Sequence, residues 1–233
     1  MKRVISKDID YEITWKTNRI ENSVKQFLTK LTKMYNDANW AYSKRNNFVK
    51  AEKYNWKRLW QNLKNQRGIN CLSMKKSRKL ILQIKCLNNS LPTLSELKKR
   101  KPDLYKSDFC ILCKKSITED FDHLMSCSAL QESWEEIEKT VLRSIEKLEE
   151  KNFHFRKKLQ RLREIVFPNN KEILFQRRKE LVIGLEEIRM TEDLLIIAEE
   201  KSKVRSWLDS ILFIIQRSFA EIIWNYRCEK INK

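Results

Sequence analysis

The 233-residue sequence predicts an all-α protein, a helical assembly interrupted near its middle by a short segment rich in cysteine. Three observations carry that prediction. Hydrophobic residues make up 41% of the chain, enough to build a core despite a charged fraction of 34%. Glycine occurs twice and proline three times, whereas a sheet protein needs turn signals about every ten residues. Apolar residues recur at steps of three and four along most of the chain, the period of a helix with one buried face.

The elements follow in order. "RIENSVKQFLTKLTKMYNDANWAYSKRNNF" places Val24, Phe27, Leu28, Leu31 and Tyr35 on one side of a first helix. "AEKYNWKRLWQNLKNQRG" sets Trp56, Trp60 and Leu63 one turn apart and meets a stop at Gly68. Its aromatics interleave with Lys53, Lys57, Arg58 and Lys64, a pattern that also suits bases stacked between phosphate-binding lysines, although helical spacing favours core. "KKSRKLILQIKCLNN" is expected to bury Leu80, Ile81, Ile84 and Leu87, with Cys86 as a small core residue. Thr93 and Glu96 have the spacing of a capping box, so a short helix should start after Thr93 and stop before Pro102.

The second half repeats the helical pattern. Leu130, Trp134, Ile137, Val141, Ile145 and Leu148 form one stripe; Phe155, Leu159, Leu162 and Val166 form the next. "KEILFQRRKELVIGLEEIR" is a third helix, and Thr191 is expected to cap a long last helix reaching about Ile231. Short connections make this region an antiparallel helical bundle. The expected organisation is a basic helical region over 1–103, a ligand-bearing module over 104–129 and a C-terminal helical region over 130–233.

Charge is unevenly placed. Residues 1–100 hold 24 Lys+Arg against 7 Asp+Glu, an excess of 17, while residues 101–233 hold 25 against 24, an excess of one. A half so basic suggests a polyanionic partner, because neutralised phosphates release their condensed counterions. Two runs concentrate the charge: Lys75, Lys76, Arg78 and Lys79 in "KKSRK", and Lys98, Lys99, Arg100 and Lys101 in "KKRKP". Either could contact phosphate or act as a nuclear import signal, and the second sits at a helix C-terminus, where the dipole favours cations. "MKRVISKDIDYEI" lacks the apolar stretch of a secretory signal, and "WLDSILFIIQRSFAEIIW" is broken by Asp209, Arg217 and Glu221. The expectation is therefore a soluble intracellular protein, nuclear or cytoplasmic and not secreted, with no membrane contact. In that setting thiols stay reduced and clustered cysteines are metal ligands rather than disulfides.

The cluster is "CILCKKSITEDFDHLMSC", residues 110–127, with spacing C-x2-C-x9-H-x3-C. Cys110 and Cys113 have the gap of a tight knuckle. His123 and Cys127 are four apart and share one helix face, with Thr118, Glu119 and Asp120 as its expected start. A knuckle facing one helical turn supplies a closed tetrahedron of soft and borderline donors, the arrangement of a structural Zn2+ site with no open position for catalysis. Lys114 and Lys115 follow the knuckle and would either offset the thiolate charge or reach phosphate. Cys71, Cys86, Cys228 and His154 lack such spacing and read as packing or surface residues.

Residues 73–137 resemble the zinc-binding region near the C-terminal end of reverse transcriptases of non-LTR retrotransposons. The resemblance rests on Leu91-Pro92-Thr93, Leu97 with Arg100 or Lys101, Cys110, Cys113, Glu119, His123-Leu124, Cys127 and Trp134, in that order. "EIIWNYRC" is similar to a Trp-x-x-Arg helix found downstream in such proteins. The resemblance implies a module that holds RNA or DNA near a polymerase or nuclease. The catalytic parts of those enzymes have no counterpart here: no two aspartates are adjacent, and no Pro-Asp with a following Asp/Glu-x-Lys occurs after Cys127. The expected function is thus non-enzymatic binding of nucleic acid, RNA or single strands before duplex, without a small-molecule substrate. The alternatives are a helical module that docks on another polypeptide, such as a separately encoded retrotransposon polymerase, and a decayed remnant without selected activity.

Overall fold

With so few glycines and prolines to break it, the chain runs from helix to helix. The computed structural model describes residues 51–65, 74–149 and 155–231, and positions 14–15, 18–19, 25–26, 28–29, 32–33 and 35–36. The chain divides into two units, Met1–Phe48 and Val49–Lys233. In the first, Thr14–Trp15 pairs antiparallel with Asn18–Arg19, and the described positions from 25 to 36 are helical. Leu28 and Tyr35 on that helix are exposed. Val24, Phe27 and Leu31 of the same expected stripe lie outside the described residues.

The second unit is built from α1 (Trp56–Asn65), α2 (Met74–Leu87), α3 (Leu94–Arg100), α4 (Phe121–Ser126) and α5 (Gln131–Leu148). These are followed by α6 (Phe155–Val166), α7 (Lys171–Ile183), α8 (Ile188–Ala198) and α9 (Lys201–Ser218). A π-helical turn, Phe219–Trp224, carries α9 into α10 (Asn225–Ile231). The fold is all-α, and no described helix is long and apolar enough to cross a membrane.

The core lies where the predicted stripes meet. Trp134, Ile137, Val141 and Ile145 of α5 are buried, as are Trp207, Leu208, Ile211 and Ile215 of α9, and these two helices pack against each other. The predicted Leu148 is exposed at the end of α5. Helix α7 is the hub, touching α2, α4 and α9, and every residue from Arg177 to Ile183 is buried. It ends at Gly184, whose φ of 92° is left-handed, with Gly184 N–H donating to the Glu180 and Leu181 carbonyls. A Cβ there would stand 2.8 Å from Nε2 of Gln216. Both the conformation and the space call for glycine.

Four expectations need correction. Helix α2 buries Leu80, Gln83, Cys86 and Leu87, leaving Ile81 and Ile84 outside. It is apolar on two adjoining faces, so period alone could not choose between them, and Gln83 Nε2 lies 3.5 Å from the Ile183 carbonyl at the end of α7. Helix α1 buries Leu59 rather than Trp60, and the expected stop Gly68 lies outside the described residues. Two of its region's interleaved cations are engaged inward: Arg58 pairs with Glu186 and Asp209, and Lys53 with Glu180 and Glu187. The long last helix is interrupted, because Glu199 adopts a left-handed φ of 64° between α8 and α9. Lys158 pins that break by donating to the Ile197 carbonyl and the Glu199 carboxylate. Thr191 lies inside α8, its hydroxyl donating to the Glu187 carbonyl, and caps nothing. Finally, Thr93 is the N-cap residue of α3 but its side chain makes no capping bond; the Leu94 N–H is taken by Glu119 from 25 residues on.

Candidate metal centre

The four predicted ligands converge. One donor atom from each of Cys110, Cys113, His123 and Cys127 lies within 4.8 Å of every other, and the group could hold a metal ion. Cys110 Sγ stands 3.9 Å from Cys127 Sγ, and Cys113 Sγ stands 3.5 Å from His123 Nε2. Cys110, His123 and Cys127 are buried and Cys113 is half-buried.

The knuckle half is shaped by its own backbone. Phe109 and Thr118 form an antiparallel bridge, Cys110 N–H donates to the Ile117 carbonyl, and Glu119 N–H donates to the Asp108 carbonyl. Lys114 turns the chain between the arms with a φ of 53°. The amides of Leu112 and Cys113 point at the Cys110 sulfur. Without a cation, the Cys127 thiol donating to Cys110 draws the Cys110 pKa down to about 4 against the effect of burial, helped by those two amides. The same sulfur pair pushes Cys127 above the usual thiol range, and burial adds to it.

The helix half is held by other helices. Helix α4 has only six residues, too short to stand alone. Asp120, not Thr118, caps it, accepting the His123 N–H at 2.7 Å; Thr118 belongs to the bridge instead. At the other end, Trp134 Nε1–H donates to the Leu124 carbonyl and Arg178 Nη1–H to the Met125 carbonyl, satisfying carbonyls that a helix end leaves open. Arg178 is buried, paired with Glu138 at 2.8 Å and stacked over Trp134. Lys179 reaches Asp122 and lies over the Phe121 ring.

Between the halves sits Glu119, fully buried. Its Oε1 accepts from Arg227 of α10 and from the Leu94 N–H, and its backbone carbonyl accepts the Ser95 N–H. Arg227 itself lies over the Trp224 ring. The two stretches of the resemblance, the Cys/His segment and the Trp-x-x-Arg helix, therefore meet in one buried ion pair. The sequence expected Glu119 in a helix start and gave Arg227 no partner; Arg178 was missed altogether. The acidic position next to the motif and the Trp-x-x-Arg spacing were the signals available.

The basic residues divide. Lys98 pairs with Asp108 at 2.8 Å, which ties the end of α3 to the knuckle. Lys99 and Arg100 pair with Glu96 while staying exposed, and Lys101, Lys114 and Lys115 are exposed with no ion pair among the described residues. Arg78 is exposed on α2, and no described ion pair joins it to that group. Lys75, Lys76 and Lys79 also lie on α2, but their side chains are outside the described set, as are Cys71 and His154. Burial pushes the Cys86 thiol up, leaving it an inert core residue as expected.

Comparison of the chain with family models, with curated proteins and with solved structures gives no match.

Proposed function

We propose that this is a non-enzymatic, zinc-stabilised nucleic-acid-binding protein, derived from the C-terminal region of a non-LTR retrotransposon reverse transcriptase. The observation that carries the reading is a four-residue Cys/His cluster whose knuckle carries exposed Lys114 and Lys115, with Lys101 exposed after α3, none of the three in an ion pair among the described residues. Tetrahedral zinc with Zn–S of about 2.3 Å and Zn–N of about 2.0–2.1 Å has S–S edges of about 3.8 Å and S–N edges of about 3.6 Å. The sulfur pair at 3.9 Å and the sulfur–nitrogen pair at 3.5 Å agree with those edges. When bound, the metal supplies a cross-link between knuckle and α4 and uses up all four donors.

The chain's own residues do the rest. Lys98 ties the end of α3 to the knuckle, and exposed Lys99, Arg100, Lys101, Lys114 and Lys115 are the phosphate contacts of this reading, with Arg78 on α2 as a further one. Binding through such contacts is electrostatic and only weakly selective for sequence. The meeting of Glu119 with Arg227 supports the retrotransposon origin, since it joins two stretches that the resemblance picks out separately.

Salt titration of the full chain on RNA, single-stranded DNA and duplex DNA tests the reading. Contact with six or more phosphates weakens affinity about a thousandfold between about 50 and 200 mM salt. Binding that ignores salt, or no binding, overturns it.

A second reading has its own observation. Helices α6, α7 and α8 border a groove of about 810 Å³, with Ile173 and Ile196 exposed along it and charges of both signs at its rim. Such a groove suits a helical segment of another polypeptide, the protein-interaction alternative, and that binding would be far less sensitive to salt.

A further inference from the structure

The knuckle has an outer face that the metal does not use. Phe109 and Thr118, cross-strand partners in the bridge, share one face of the hairpin and are both exposed, Phe109 at 50%, while Cys110, the next residue along the arm, faces the other way and is buried. Ile111, just past Cys110, is exposed as well. An exposed phenylalanine bridged across a hairpin to Thr118 adds little to the core on the far side. Its surroundings are cationic. Residues 98–118 contain seven Lys+Arg and two Asp, and of the two acids Asp108 is already paired with Lys98. Lys106, Lys114 and Lys115 on the same hairpin are exposed and pair with no acid among the described residues.

We propose that this face is a stacking platform for single-stranded nucleic acid, with Phe109 against a base and Lys106, Lys114 and Lys115 on the flanking phosphates. The proposal rests on the nucleic-acid reading above and narrows it to a strand type and a residue. Charge complementarity selects a polyanion as the occupant. The apolar centre then selects single strands, because a duplex keeps its base faces stacked inside and would set phosphates against the Phe109 ring.

The test measures binding of the zinc-loaded full chain to a 20-nucleotide single strand and to a duplex of equal length, by fluorescence anisotropy at two salt concentrations. Phe109→Ala should weaken single-strand binding by about tenfold, within the range of about 5- to 150-fold that one stacked base supports. Duplex binding and the salt slope should not change, and Phe109→Trp should restore affinity. Lys114→Ala with Lys115→Ala should leave the stacking contribution intact and reduce the single-strand salt slope by about 1.4. Phe109 is half exposed, so zinc content and helicity should be unaltered, and both serve as folding controls. If the chain binds single strands in a salt-dependent way and Phe109→Ala binds as well as wild type, the platform is wrong and the broader reading survives. If neither nucleic acid is bound, both fail. Vesicles of phosphatidylserine and phosphatidylcholine form the third arm: loss of vesicle binding in Phe109→Ala, with oligonucleotide binding intact, would reassign the face to a membrane surface.

Discussion

The two halves of the ligand set are held in opposite ways. Cys110 and Cys113 stand on a hairpin whose tertiary supports are few: the Lys98–Asp108 pair at its edge and the backbone of Glu119 at its root. His123 lies in, and Cys127 directly after, a six-residue helix fastened by Trp134, Arg178, Lys179 and Asp120 into the centre of the fold. One half is placed by the core; the other is closed by the hairpin's own backbone bonds and has few further supports among the described residues. A metal held by this cluster is therefore expected to add order to the hairpin and little to the helices.

Breaking the junction between the halves should have the largest effect. Glu119→Ala strands a buried guanidinium and removes the acceptor for Leu94 N–H, so urea unfolding should show a loss of about 3–5 kcal/mol. Arg227→Met leaves a buried carboxylate without its cation and should cost a similar amount. Next comes the fold far from the metal: Gly184→Ala meets a left-handed backbone and a crowded Gln216, and a loss of about 1–3 kcal/mol is expected by the same measurement. Smaller in global terms, but local and specific, is loss of the metal. Native mass spectrometry should find about one zinc per chain. Chelation or Cys113→Ser should then accelerate amide exchange across residues 105–118 while α5, α7 and α9 stay protected. Equal exchange in α4 and the hairpin would show that the two halves are not held differently. The smallest effect belongs to Lys98→Ala, which should raise exchange only at the hairpin edge and shift global stability by less than about 0.5 kcal/mol.

What could be read in advance follows the same division. The Cys/His cluster was legible because a knuckle and an i, i+4 pair are local spacings, and the stripes of α5 and α6 were legible because one apolar face met one core. Features made by distant residues were not. Thr93 and Thr118 have good capping chemistry, yet a carboxylate from 25 residues away serves one helix and Asp120 the other. In α2 the apolar residues cover two faces, and the choice between Ile84 and Gln83 was made by the end of α7. The split at Glu199 carries no glycine or proline; it depends on Lys158, 41 residues earlier. Charge was legible as a total but not as a surface, since Lys53 and Arg58 turned out to bind the bundle itself.

The Glu119–Arg227 pair also sets an order of events during synthesis. Its partners are 108 residues apart, so at about 5–20 residues per second Glu119 is made about 5–20 s before its guanidinium exists. Over that interval all four metal ligands are already translated while the carboxylate at their junction is uncompensated. The Cys/His cluster can assemble on the nascent chain, but the buried carboxylate beside it gains its cation only when α10 arrives, so a chain cut short before that helix is expected to hold the cluster less firmly.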